Sequence, residues 1–464
     1  MGKKGLSGKK GASRSLSRRD FLTAGAAVTA GMMIVPRRVL GGGGMSPPSD
    51  TLNIACIGVG GKGSSDIRSV STENIAALCD VDDVQMRDFL NSGQNTPEQK
   101  AMYEKAAKYR DFRIMLDKHP EIDAVTISTP DHTHAVAAMD AMQRGKHVFV
   151  QKPLTHSIKE ARILAETARK MNLVTQMGNQ GHAGEGGRLI CEWIWEGAIG
   201  DVREVHAWTN RPIWPQGEDA PKEIPSVPST LAWDVWLGPA PYRPYHPAYH
   251  PFSWRGYWDF GTGALGDMGA HILDHPFWAL KLGHPETVQA SSTPFTEDMF
   301  PRAEMMTYEF PEREGMPPVK LTWYDGGLMP PRPKELEPGR TMGDSGGGVL
   351  FVGDKGKLMC STYGNHPRLI PESLMQEYGL PEKTIPRSPG IHEEWTEAVK
   401  AGKKSTTDFS YSGPLTEVML LANAAVRVQE HKTILLWDGD KLEFTNMPEA
   451  NQFLHTRYRP GWTL

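Results

Sequence analysis

Near-continuous apolar runs recur in the first third of the chain. Leu52-Asn53-Ile54-Ala55-Cys56-Ile57, Ile75-Ala76-Ala77-Leu78-Cys79, Ala124-Val125-Thr126-Ile127-Ser128 and Val148-Phe149-Val150 read as strands buried on both faces of a parallel sheet. Helix-like segments, one from Ser64 and one over residues 135–144, separate some of them. Residues 174–180 read as the last strand of this set and lead into a helix over 188–196. The pattern then changes. Gly200 to Trp208 starts a second sheet, and residues 316–324 and 348–353 alternate as strands of it do. Gly356-Lys357-Leu358 closes a hairpin-like turn. Helices are expected at 395–400 and 414–428, the second apolar enough to dock back on the first sheet.

The first strand feeds Gly58-Val59-Gly60-Gly61-Lys62-Gly63, and the second ends at Asp80. Strand, glycine turn, helix, strand and acid is the order of a dinucleotide fold. Gly58 permits the tight turn, Gly60 lets backbone approach a pyrophosphate, and Gly63 allows close helix–strand packing. Gly61, Lys62 and the helix start offer N–H groups to the phosphates. Asp80 can accept hydrogen bonds from ribose hydroxyls, and with Asp82 and Asp83 it would repel a 2′-phosphate, so NAD is expected over NADP. In sheets of this kind ligands gather at the C-terminal strand ends, where Ser128, Thr129, Pro130, His134, Gln151 and Lys152 fall.

These motifs, with Gly145-Lys146-His147-Val148-Phe149-Val150-Gln151-Lys152-Pro153 and Gly261 to His275, resemble the Gfo/Idh/MocA family of NAD(P)-dependent sugar oxidoreductases over residues 52 to about 430. The resemblance implies that Lys152 stabilises developing alkoxide, and that His271 is the general base. Asp267, four residues before His271 and on the same helix face, would orient sugar and imidazole and tune the imidazole upward. In the family a glutamate stands where this chain has Gln151, which keeps hydrogen bonding but loses a charge. Asn179 and His182 near the crossover, Arg188, Trp208 and Asn210, the loop residues Trp254, Arg255 and Tyr257, and Asp274 are expected to contact substrate. The expected fold is α/β: an N-terminal Rossmann domain at 51–175, then an α/β substrate domain at 176–430 with a large, mostly antiparallel sheet, and a C-terminal extension at 431–464. The expected activity is hydride transfer between a sugar hydroxyl and tightly held NAD, in a homo-oligomer (dimer or tetramer). Two alternatives stay open: a glycosidase or lyase acting by transient oxidation and elimination, and a non-catalytic sugar binder with a relict nucleotide site.

Composition narrows this further. The net charge of −4 implies no broad nucleic-acid surface, and 464 residues suit two domains. Thirteen Trp suit a carbohydrate site, since indole faces stack on sugar C–H groups. Four Cys without a CxxC imply neither a zinc site nor a disulfide scaffold, and no metal is expected at the Asp267–His275 cluster. Residues 1–50 read as signal and linker. Ser17-Arg18-Arg19-Asp20-Phe21-Leu22 opens a weakly apolar stretch to Val35, too short to span a bilayer, and resembles a twin-arginine export signal. A periplasmic or otherwise exported location is expected, with membrane contact only in transit. That route carries folded proteins, so NAD would be loaded beforehand in the cytoplasm.

Overall fold

Small and branched apolar residues give the first half its strands. The protein, described here by a computed structural model, is defined at residues 1–2 and 50–464; the export motif at 17–35 lies outside the described residues. Strands β1 (Asn53–Ile57), β2 (Asn74–Cys79), β3 (Ala107–Tyr109), β4 (Ala124–Ile127), β5 (His147–Val150) and β6 (Thr175–Met177) are all parallel. Their order is β3-β2-β1-β4-β5-β6. The chain reverses its direction of progress at β1 and β4, so the C-terminal ends of these strands open a crevice. Two glycines make the turn after β1 possible. Gly58 has φ +83°, and a Cβ there would meet the Ser128 carbonyl oxygen at 2.5 Å. A Cβ at Gly63 would stand 2.1 Å from the Gly58 carbonyl oxygen. The helix Lys62–Ser69 can therefore sit directly against the strand ends.

The helix after β4 spans Asp131–Gln143 and begins four residues earlier than its apolar pattern predicts, because Pro130 in extended conformation already sets its start. His134 thus lies in a first helical turn and not at the strand end expected for it.

The second sheet is built from β7 (Val202–Thr209), β8 (Thr287–Ser292), β9 (Glu304–Phe310), β10 (Val319–Tyr324), β11 (Gly347–Gly353), β12 (Lys357–Ser361), β13 (Arg368–Ile370), β14 (Leu435–Asp438) and β15 (Glu443–Phe444). Its order is β13-β12-β11-β7-β10-β9-β8-β14-β15, and only the β7–β10 pairing is parallel. Segment 431–464 is no appendage: β14 pairs with β8, β15 pairs with β14, and Ala450 and Leu454 are buried in the shared core. Alternating Leu435 and Trp437 bury one face of β14, a period too short to stand out in sequence.

Residues 52–464 form one unit in which a single apolar core runs from the first sheet into the second. The helix Phe409–Arg427 seals the junction. It lies on the helix Ile158–Lys170, where the Arg162 guanidinium meets both carboxylate oxygens of Glu417 at 2.7 Å. Gly413 lets the two backbones approach, since a Cβ there would stand 3.2 Å from that of Ala165. The substrate half is thereby fixed over the strand ends of the nucleotide half.

Candidate active site

A cleft of about 520 Å³ lies over the C-terminal ends of β1, β2, β4 and β5. At one end is the glycine turn. The helix Lys62–Ser69 starts without a side-chain cap, which suits an anion at its start, although the Gly63 amide donates to the Gly60 carbonyl at 3.0 Å. The Val59 amide donates to Asp80 Oδ2 at 2.8 Å, and the Asp82 amide donates to Asp80 Oδ1 at 2.9 Å. Asp80 therefore braces the turn and also faces the cleft. A Cβ at Gly60 would displace the flexible Gln85 side chain, whose Oε1 would stand 2.2 Å away. A glycine-rich turn, a helix start without a side-chain cap and a carboxylate at the β2 end fit a dinucleotide.

At the other end two distant segments meet. Lys152 follows β5, and its Nζ donates to Asp267 Oδ1 at 2.9 Å and to the Asp267 carbonyl at 2.7 Å. Asp267 and His271 lie one turn apart on the helix Gly263–Ile272, and both line the cleft. Arg255 Nε reaches Asp267 Oδ1 at 3.3 Å, and its guanidinium lies 4.3 Å from the Trp254 ring. Burial would raise the Asp267 carboxyl, but Lys152 and Arg255 outweigh it and hold its pKa at about 2.

Asp267 is thus engaged by two cations and does not clamp the imidazole. The expected upward tuning of His271 is reversed. Burial lowers its pKa well below the ordinary histidine value, Lys152 adds to the effect, and Asp267 opposes it without prevailing. His271 Nδ1 is buried with no hydrogen-bond partner among the described residues, and the ring meets Tyr363 edge-on at 4.9 Å. At neutral pH the imidazole is uncharged and able to accept a proton.

Beneath the cleft floor lies a buried carboxylate, Asp66. It accepts from Lys62 Nζ at 2.6 Å, Ser128 Oγ at 2.8 Å and Gln151 Nε2 at 2.8 Å, and faces His392 Nε2 at 3.0 Å. Burial would raise its pKa, but the His392 hydrogen bond and the Lys62 charge lower it. Gln151 therefore has a physical reason: a glutamate there would press a second carboxylate against Asp66, whereas the amide donates to it.

Gly58, Gly60, Gly61, Lys62, Asp80, Ser128, Thr129, Pro130, Gln151, Lys152, Trp254, Arg255, Asp267 and His271 all line the cleft. Other expected contacts lie elsewhere. Gly63 is used in helix packing. His134 is buried beneath the site with the Pro153 and Thr129 carbonyls each 2.8 Å from a ring nitrogen, and so supports the segment that carries Lys152. Asn179 is buried with both amide atoms unpartnered among the described residues. His182 and Asp274 form a buried pair at 3.0 Å, closed by the Tyr411 hydroxyl at 2.8 Å. Arg188 is spent on the carbonyls of Pro386, His182 and Gly184. Trp208 packs with Leu336, Met342 and Leu350, Tyr257 packs with Tyr249 and Phe260, and Asn210 is exposed and accepts from Arg211. Each has the polar or aromatic character of a sugar contact, but its local pattern does not reveal which way it faces. Arg110, Trp236, His250 and Tyr363 line the cleft without having been singled out; they sit on loops or short helices with no motif to mark them. Among the described residues no three ligand-type side chains gather as a metal site needs.

A doubly wound sheet with a glycine turn, and a lysine and an Asp/His helix over its strand ends, defines a protein of the dinucleotide-binding class. The sequence profile of the GFO_IDH_MocA oxidoreductase family, NAD-binding Rossmann fold, matches residues 52–179, and that of its C-terminal alpha/beta domain matches 201–310. The chain belongs to the Gfo/Idh/MocA family. Glycosyl hydrolase family 109 protein 1 of Shewanella sp. (strain MR-4) is 28% identical over 210 residues, a match covering 40% of this chain and 44% of that protein. The chain thus matches under half the length of such curated relatives. Among solved structures, the WlbA dehydrogenase from Bordetella pertussis, in complex with NADH and UDP-GlcNAcA, is 15% identical with TM-score 0.55, covering 84% of this chain and 99% of that one. Aldose-aldose oxidoreductase from Caulobacter crescentus, complexed with glycerol, is 14% identical with TM-score 0.56, covering 83% and 100%. At these identities the structures establish the shared fold.

The electrostatics of His271 make a direct prediction. Its midpoint lies below the ordinary value of about 6.5, so on acidification it stays neutral after exposed histidines have charged. Lys152→Met removes the largest of the charges that depress it and should move the midpoint upward. Histidine-labelled NMR titration, with the signal assigned by its loss in His271→Gln, checks both. A midpoint at or above 6.5, or no rise in Lys152→Met, is the contrary result.

Proposed function

We propose that this protein moves hydride between a ring carbon of a sugar or sugar derivative and a nicotinamide dinucleotide, NAD in preference to NADP. One observation carries the reading: Lys152 from the first sheet and the Asp267/His271 helix of the second half line the same cleft as the glycine turn. The glycine turn, the uncapped helix start and Asp80 would hold the dinucleotide. When bound, the nicotinamide supplies the hydride acceptor, or the donor in reverse. In oxidation the sugar alcohol loses its C–H hydrogen as hydride and its O–H hydrogen as a proton. Neutral His271 takes that proton, its ring kept neutral by burial and by the Lys152 charge. The Lys152 ammonium donates to the same oxygen and stabilises its developing charge. Asp267 aims Lys152 through its carboxylate and its carbonyl, and Arg255 shares that carboxylate.

Loss of a general base costs about 10²–10⁴-fold in rate, and His271→Ala and Lys152→Ala should each cut hydride transfer, read at the reduced-nicotinamide absorbance band, by that much while NAD still binds. Both groups act on one transition state, so the double variant should fall well short of the product of the two losses. Full activity in either single variant would sink the assignment.

For cofactor choice, Asp80 and its acidic neighbours Asp82 and Asp83 support NAD. Asp80→Ala should weaken NAD and narrow its advantage over NADP, measured by titrating each nucleotide into the purified protein. Tighter NADP than NAD binding by the unaltered chain would be decisive against this.

A second reading is favoured by the names of the curated relatives: a glycoside hydrolysed through transient oxidation, elimination, water addition and re-reduction, using the same two groups. Release of aglycone without added NAD and without net change in the nicotinamide band selects it; net nicotinamide reduction selects the first.

For location, the Ser17–Leu22 motif supports export through the twin-arginine route. Replacing Arg18 and Arg19 by Lys should leave folded protein in the cytoplasm of fractionated cells, and unchanged export would refute the signal.

A further inference from the structure

Positive charge in the cleft is matched almost throughout. Lys62 pairs with Asp66 at 2.6 Å, Arg110 pairs with Asp83, and Lys152 and Arg255 share Asp267 at 2.9 and 3.3 Å. Arg211 is the exception. It lines the same cleft, yet among the described residues its guanidinium has no carboxylate at ion-pair distance, and its one side-chain hydrogen bond goes to the Asn210 amide oxygen. The backbone that carries it is firmly held. Arg211 directly follows Asn210 and the end of β7, its carbonyl accepts from the Gly326 amide at 2.6 Å, and the Thr209 hydroxyl donates to the Gly346 carbonyl at 2.8 Å. Burial raises the Tyr363 phenol and the Arg211 charge opposes that rise, and the Tyr363 ring, which lines the same cleft, meets His271 at 4.9 Å.

An arginine fork matches a carboxylate or phosphate with two parallel hydrogen bonds. A neutral sugar entering this cleft would strip water from the guanidinium and return only hydroxyl contacts; an oxyanion on the sugar returns a charge-assisted pair. Resting on the sugar oxidoreductase reading above, we infer that Arg211 is a specificity residue, and that the substrate is a sugar bearing a carboxylate or phosphate group rather than its neutral parent.

The full chain loaded with NAD is assayed for nicotinamide reduction against matched sets: aldohexoses, the corresponding hexuronates and the corresponding hexose 6-phosphates. One charged set should exceed its neutral parents in kcat/KM by at least about tenfold, the scale of one charge-assisted contact, and the set that wins identifies the oxyanion. Arg211→Gln should reduce that charged-over-neutral ratio by about 10–100-fold, chiefly through KM, and Arg211→Lys should restore part of it. NAD affinity and the melting temperature, measured on the same samples, should hold, because the side chain bonds only to Asn210. Preference for neutral aldoses, an equal loss for charged and neutral sugars in Arg211→Gln, or loss of NAD binding in that variant overturns the inference and leaves the oxidoreductase reading standing. Absence of hydride transfer from every sugar, with NAD demonstrably bound, tells against the oxidoreductase reading itself.

Discussion

The contact between Lys152 and Asp267 is the interaction on which the candidate site depends. It joins the end of a strand in one sheet to a helix of the other half, across 115 residues of sequence, through both the carboxylate and the backbone carbonyl. The two side chains are only 16% and 14% exposed, so the pair is poorly screened, and leaving either charge without its partner would be costly. Because Asp267 and His271 share a helix face, fixing one to Lys152 fixes the approach of the other. The same contact sets the electrostatics. Lys152 depresses the carboxyl of Asp267 and the imidazole of His271 alike, so one carboxylate stays charged and one imidazole stays neutral within a single cleft.

Asp66 does for the cleft floor what Asp267 does for its wall. A single buried carboxylate collects Lys62 from the glycine-turn helix, Ser128 from the end of β4, Gln151 from the end of β5 and His392 from the helix Ile391–Ala401. Buried carboxylates persist when each lone pair is matched by a donor, and this one ties together the strand ends that a dinucleotide would contact. It also accounts for Gln151, whose replacement of a family glutamate looks in sequence like a weakened site. Here the buried charge sits at residue 66, and the Gln151 amide serves as its donor.

Much of this was legible along the chain. Apolar runs located five of the six parallel strands, because burial on both faces leaves a local compositional trace; three-residue β3 left none. The glycine turn was readable because steric exclusion of a Cβ at Gly58 and Gly63 restricts residue type directly. The four-residue spacing of Asp267 and His271 placed them on one helix face by geometry alone. What sequence could not supply was direction and partnership. Trp208, Tyr257 and Arg188 have the character of sugar contacts, yet the packing of two sheets turned them into core. His182 and Asp274, 92 residues apart, found each other instead of a ligand. Tyr363, beside His271, came from a turn after β12 with no motif to mark it.

The sequence by itself thus determined the order of five of the six parallel strands, the nucleotide turn and the one-turn spacing of Asp267 and His271, since these follow from constraints between near neighbours. Only the tertiary structure decided which charges meet: Asp267 serves Lys152 and Arg255 rather than His271, Gln151 answers Asp66, and Arg211 is left without a carboxylate. Electrostatic partnership is set by distance in space, and segments a hundred or more residues apart come within hydrogen-bond reach only after both sheets and the helix Phe409–Arg427 between them have packed.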